Sequence, residues 1–131
     1  MIGVFDSGSG GLSVLLEIRK RLPSVDVVYL GDIKNAPYGS KTREELGALT
    51  VMAVSRLLNE GADFIVSACN SVSASIVLPM LEILGVKPFE IVEMVGPTVK
   101  GLKNKKGILF GMPFAKGFAA DQLSFINMCR P

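Results

Sequence analysis

Five short apolar runs, each closed by a turn, alternate with stretches of helical spacing, and this alternation constrains the fold more than any other feature. The runs are Ile2–Phe5, Val27–Leu30, Phe64–Ala68, Phe89–Val92 and Gly107–Phe110. A short apolar run bounded by turn residues reads as a buried strand. Between the first two runs, Leu12, Leu15, Leu16, Ile18 and Leu22 recur on one helical face, and Pro23 closes that helix. Thr42 opens a longer helix, and Glu45 stands where a capping box needs it. Leu46, Leu49, Val54, Leu57 and Leu58 form the buried face of that helix, and Gly61 ends it. Asn70 or Ser71 can cap a third helix, in which Pro79 predicts a kink or an early stop. Strands that alternate with helices predict an α/β fold, a parallel sheet with flanking helices on both faces.

Sheets of this kind bind ligands beyond the carboxyl ends of their strands. The segments in that position are Asp6–Gly11, Asp32–Lys41 and Cys69–Ser71, and they are expected to converge on one crevice.

Composition narrows the chemistry. At 131 residues, 49% hydrophobic and 20% charged, the chain is globular, with one compact domain or one domain and part of another. A net charge of +2 is too small to imply nucleic acid or an anionic membrane as partner. Lys103, Lys105 and Lys106 read as a solvated turn before a strand. There is no histidine, which excludes a Ser-His or Cys-His dyad and a His-ligated metal within these residues. Proton transfer near neutral pH then falls to Cys, Asp, Glu, Lys or Tyr. Cys69 and Cys129 are too few for a disulfide scaffold, so a reducing cytoplasm is expected. No leader is expected, because the first residues run straight into a strand and a glycine-rich turn. Apolar runs such as Ser75–Leu78 are too short to span a bilayer.

Each candidate residue has a plainer alternative. Cys69 lies between a strand end and a helix start, where backbone N–H groups and the helix dipole favour a thiolate. It could equally be a small buried hydrophobe. Asn70 and Ser71 suit a substrate carboxylate, or simply cap the helix. Asp6 could hold an ammonium group or bond its own turn, and Ser7 stands beside it. Gly8, Gly10 and Gly11 would admit a ligand close to the backbone. A dinucleotide site is a rival reading of that turn, but Ser13 stands where a third glycine belongs. Asp32 does fit the ribose-binding acid of such a site. Pro37-Tyr38-Gly39 could be an ordinary turn, and Cys129 an incidental thiol in a frayed tail.

Taken together, the motifs resemble a known family. Val4-Phe5-Asp6-Ser7-Gly8-Ser9-Gly10-Gly11-Leu12 resembles the opening motif of bacterial glutamate racemases, in the aspartate/glutamate racemase family. Gly31-Asp32 followed by Pro37-Tyr38-Gly39-Ser40-Lys41 resembles their second loop. Ala68-Cys69-Asn70-Ser71 resembles their first catalytic cysteine motif, with serine where threonine is usual. The motifs occur in the family's order and at about its spacing. The resemblance covers residues 1 to about 112 and fades thereafter. The family's second cysteine motif, Cys-Thr-His, has no counterpart here, and Cys129 stands too near Cys69 to serve.

The resemblance implies cofactor-independent inversion of glutamate by two cysteines on opposite faces of the substrate. Cys69 would be the catalytic residue on one face. Asp6, Ser7, Tyr38, Gly39, Asn70 and Ser71 would hold the charged ends of the substrate. No metal, pyridoxal phosphate or nucleotide is implied, and the family's product, D-glutamate, feeds peptidoglycan synthesis. Residues 1–93 would form most of the first lobe, and 94–131 would begin the second, with a divergent tail from about 112. The lobe-completing segments of the family would be absent, leaving apolar surface uncovered and the chain marginally stable or prone to associate, for instance as a homodimer. An aspartate or related amino-acid racemase, and a non-catalytic α/β module binding a nucleotide, are the alternative readings. The 131 residues alone carry one competent cysteine, and removing a proton without a donor opposite does not invert a centre. Chiral chromatography is therefore expected to show no conversion of L- to D-glutamate by this polypeptide; turnover at ordinary enzyme rates would overturn that expectation.

Overall fold

The computed structural model describes residues 1–73, Ile83, Gly85, residues 91–94 and Lys100. Four parallel strands form one sheet: β1 (Ile2–Asp6), β2 (Val27–Gly31), β3 (Phe64–Ser67) and β4 (Ile91–Glu93), in the order β2-β1-β3-β4. The helices are α1 (Leu12–Arg21), α2 (Arg43–Asn59) and α3 (Asn70–Ser73), with two 3₁₀ turns at Ile33–Asn35 and Tyr38–Ser40. Strand and helix order match the sequence expectation through residue 73. The fourth strand is described as Ile91–Glu93, a little later than the apolar run Phe89–Val92 suggested. The kink at Pro79, the strand at 107–110, the lysines at 103, 105 and 106, and Cys129 all lie outside the described residues.

Register fixes which loops meet. Phe5 pairs with Leu30 on one side and with Ser67 on the other, so β1, β2 and β3 end level with one another. The β1–α1–β2 crossover steps outward to one side of β1, and β2–α2–β3 steps back across it. Right-handed crossovers then put α1 and α2 on opposite faces of the sheet. The connections leaving β1 and β3 diverge, which is the switch point at which doubly wound sheets bind their ligands.

The core lies on the α2 face. Phe5, Leu46, Val54, Leu57, Ile65 and Val72 are buried together there with Tyr38 and Cys69. Thr42 starts α2 with a complete capping box. Its hydroxyl accepts from Glu45 N–H at 3.2 Å, and the Glu45 carboxylate accepts from Thr42 N–H at 2.7 Å. Gly61 takes a φ of 92°, the left-handed conformation that lets the chain turn back from the helix end into β3.

The α1 face is less finished. No residue of α1 is buried, and Leu16 is 60% and Leu12 44% exposed. Val92 on β4 is 39% exposed. Among the described residues, apolar side chains of α1 and β4 are therefore exposed.

Two substitutions should act in opposite senses on stability. Thr42→Ala removes the cap of α2 and should cost about 1 kcal/mol. Among the described residues the Ser67 hydroxyl, buried at the end of β3, has no hydrogen-bond partner, so Ser67→Ala relieves a desolvation penalty and should be neutral or stabilise by about 1 kcal/mol. Urea denaturation midpoints of the two variants check both signs.

Candidate active site

The first loop is built around Asp6. Its Oδ2 accepts from Gly8 N–H at 3.2 Å and from Gly11 N–H at 2.9 Å, which folds the glycine-rich turn back over the end of β1. Asp6 is 7% exposed. The Tyr29 hydroxyl donates to the Gly8 carbonyl at 2.9 Å and pins the turn from β2. Only glycine fits at position 11, where a Cβ would lie 2.7 Å from Asp6 Cβ and 3.1 Å from Ala68 Cβ. The turn thereby presents Ser7, half-buried, toward β3.

Cys69 comes to meet it. The Ala68 N–H donates to the Phe5 carbonyl at 2.8 Å and extends the β1–β3 pairing by one step. The Cys69 thiol, 2% exposed, then donates to the Ser7 hydroxyl oxygen at 3.4 Å. The cysteine is thus buried, as its plainer reading had it, and its sulfur is turned toward the first loop. The expectation that Asn70 or Ser71 caps the third helix is corrected. The Cys69 carbonyl accepts from Val72 and Ser73 N–H at 3.1 Å each, so the helix starts one residue earlier. Asn70, exposed, and Ser71, half-buried, stand inside its first turn.

The second loop closes over Tyr38. Its ring is 1% exposed and packs against Phe5, with centroids 6.0 Å apart. Its hydroxyl donates to Asp32 at 2.7 Å, and both Asp32 oxygens also accept from the Asn35 side-chain amide at 2.9 Å. Burial first, and then the bond to Asp32 with its charge, pushes the Tyr38 phenol far above its ordinary value. Tyr38 is therefore a protonated donor throughout the physiological range. The turn Tyr38–Ser40 packs against Asn70–Ser73, bringing half-buried Gly39 to the same end of the sheet as Cys69.

All three loops thus converge, as the sequence implied. Two residues not named as substrate ligands help to shape the site. Tyr29 holds the first loop, and Asp32, part of the second-loop motif and weighed by itself as a ribose ligand, holds the second. That carboxylate is taken up by Tyr38 and Asn35, and the Gly8 and Gly11 N–H groups by Asp6. A dinucleotide would need both free, so the rival reading loses its ligands. Among the described residues, no group of three or more His, Cys, Asp or Glu is placed to hold a metal ion.

Comparison with known proteins agrees with the geometry. The glutamate racemase of Deinococcus radiodurans is 42% identical over 103 residues, covering 79% of this chain and 36% of that protein. The solved glutamate racemase of Aquifex pyrophilus superposes with a TM-score of 0.80 at 34% identity, over 97% of this chain and 51% of that one. This chain matches the N-terminal portion of glutamate racemases. The racemase of Francisella tularensis, solved with D-glutamate, gives a TM-score of 0.79 at 29% identity, over 97% of this chain and 48% of that one. No family model matches the chain. The chain spans roughly a third to a half of the length of these relatives. The glutamate racemases it matches are isomerases that interconvert the enantiomers of an amino acid.

Proposed function

We propose that this chain supplies one face of a cofactor-independent glutamate racemase site, with Cys69 as the proton-transferring residue on that face. The observation that carries the proposal is the Cys69 thiol within 3.4 Å of Ser7, at the crevice where the sheet order reverses.

The chemistry is a two-sided exchange. The Cys69 thiolate takes the α-proton of one enantiomer and becomes a thiol. A second thiol, in the segment that the family's Cys-Thr-His would provide, returns a proton to the opposite face of the α-carbon. The intermediate is carbanion-like, so fixed donors and the exclusion of water must stabilise it. Two thiols suffice for this, and no metal, pyridoxal phosphate or nucleotide takes part. Ser7, Asn70 and Ser71 offer hydroxyl and amide groups to the substrate's charged ends, and Asp6 lies next to them as a negative charge. The Tyr38 phenol is engaged by Asp32, so Tyr38 and Gly39 would serve through their backbone N–H groups. Residues 1–93 would form most of a first lobe and 94–131 the start of a second. In this reading the product is D-glutamate for peptidoglycan and cell shape, made in the cytoplasm. The exposed Leu12 and Leu16 would favour association, for example into a homodimer.

Exchange of the α-proton in heavy water tests the assignment. One glutamate enantiomer should take up deuterium slowly without inversion, and Cys69→Ala should lower that rate by about a hundredfold or more. Equal exchange by the variant would remove Cys69 from the mechanism. Absence of exchange, with no protection of Cys69 from iodoacetamide by glutamate, would argue against glutamate as ligand.

A further inference from the structure

Asp32 lies outside the residues so far given a role toward substrate, yet it ties more of the site together than any of them. Its N–H donates to the Asp6 carbonyl at 2.9 Å, which joins the second loop to the end of β1. Its carbonyl accepts from Asn35 N–H at 3.2 Å, which starts the first 3₁₀ turn. Its carboxylate receives the Tyr38 hydroxyl at 2.7 Å. Tyr38 in turn belongs to the same buried cluster as Phe5, Val72 and Cys69. A carboxylate on one loop therefore anchors the aromatic ring that packs in the layer holding the thiol.

We propose that Asp32 is a positioning residue that, through the Tyr38 hydroxyl, holds the Pro37-Tyr38-Gly39 turn closed over Cys69. The proposal deepens the racemase reading and rests on it for its meaning, but its geometry is independent of which substrate binds. Without the anchor, the Tyr38 ring keeps its apolar contacts and loses the directional bond that fixes the turn. The turn would then open more often, and Cys69 would meet solvent more often.

Alkylation of Cys69 by iodoacetamide, followed by peptide mass mapping to separate it from Cys129, reads that opening directly. A buried thiol reacts only when its cover opens, so the rate reports the opening equilibrium. Hydrogen bonds to a charged group are strong enough that Asp32→Ala should raise the rate about tenfold or more. Tyr38→Phe, which keeps the ring and loses the donor, should raise it to a similar extent. Asp32→Asn keeps an acceptor and should restore most of the protection. The double variant Asp32→Ala/Tyr38→Phe should react no faster than either single variant, because both remove one interaction. A rate independent of low urea concentrations distinguishes opening of the turn from unfolding of the whole chain.

Wild-type reactivity in Asp32→Ala, or additive effects of the two single changes, would overturn the positioning role. An equal rise in Asn35→Ala with none in Tyr38→Phe would also overturn it, since Asp32 would then act only on its own turn. Protection of wild-type Cys69 by D- or L-glutamate is scored separately. Its absence, alongside the expected variant rates, would count against the glutamate reading and leave the role of Asp32 standing.

Discussion

The parallel pairing of β1 with β3 is the constraint on which the site depends. Their register sets Phe5 beside Ser67, and one further backbone bond, from Ala68 to Phe5, carries the alignment into the loops. Ser7 and Cys69 are 62 residues apart in sequence, and this ladder is what brings them to 3.4 Å. The sheet order reverses at the same place, so the chain leaves the two strands toward opposite faces, the geometry of a ligand-binding switch point. A slip of one residue in β3 would turn Cys69 to the other face of the sheet and separate it from Ser7 and Tyr38.

Around that switch point the two aspartates solve the same physical problem, fixing a loop at a strand end, with different donors. Each stands at the end of a strand, where backbone N–H groups run out of ladder partners. Asp6 satisfies backbone N–H groups of its glycine-rich turn, whereas the Asp32 carboxylate collects side-chain donors, the Asn35 amide and the Tyr38 hydroxyl. A carboxylate spent on its own loop is less available as a free charge for a ligand. It gives in exchange a turn whose shape is set before anything binds, which is what precise placement of a reacting atom requires. Tyr29 adds a further bond that sets the first turn, from the edge strand β2 to the Gly8 carbonyl.

How far the sequence could be read follows from the range of each interaction. The first four strands, the start of α2 and its buried face were legible because apolar periodicity and the Thr42–Glu45 capping box are local. The convergence of Asp6–Gly11, the Tyr38 turn and Cys69 followed from topology alone, since all three follow parallel strands. The partner of Tyr38 was not legible. Asp32 and Tyr38 are near in sequence, but two 3₁₀ turns lie between strand and helix there, and a polar loop carries no periodicity to reveal them. The start of α3 was displaced because capping propensity favoured Asn70 and Ser71, whereas the end of β3 fixes Cys69 and makes its carbonyl the first helical acceptor.

The two faces of the sheet differ in a way that bears on both stability and function. On one, α2 buries Leu46, Val54 and Leu57 against Phe5 and Ile65. On the other, α1 buries none of its residues and leaves Leu12 and Leu16 exposed, and Val92 on β4 is exposed as well. Parallel sheets are stable when both faces are covered, so the open side needs protein surface from elsewhere, in the same chain or another. Among the described residues, the hydrogen bonds that shape the surroundings of Cys69 come from β1, β2, β3 and the loops that follow them, while α2 supplies apolar packing beneath. On the proposed mechanism, the described residues 1–73 carry one catalytic face, and inversion of a stereocentre requires a second face on the opposite side of the α-carbon.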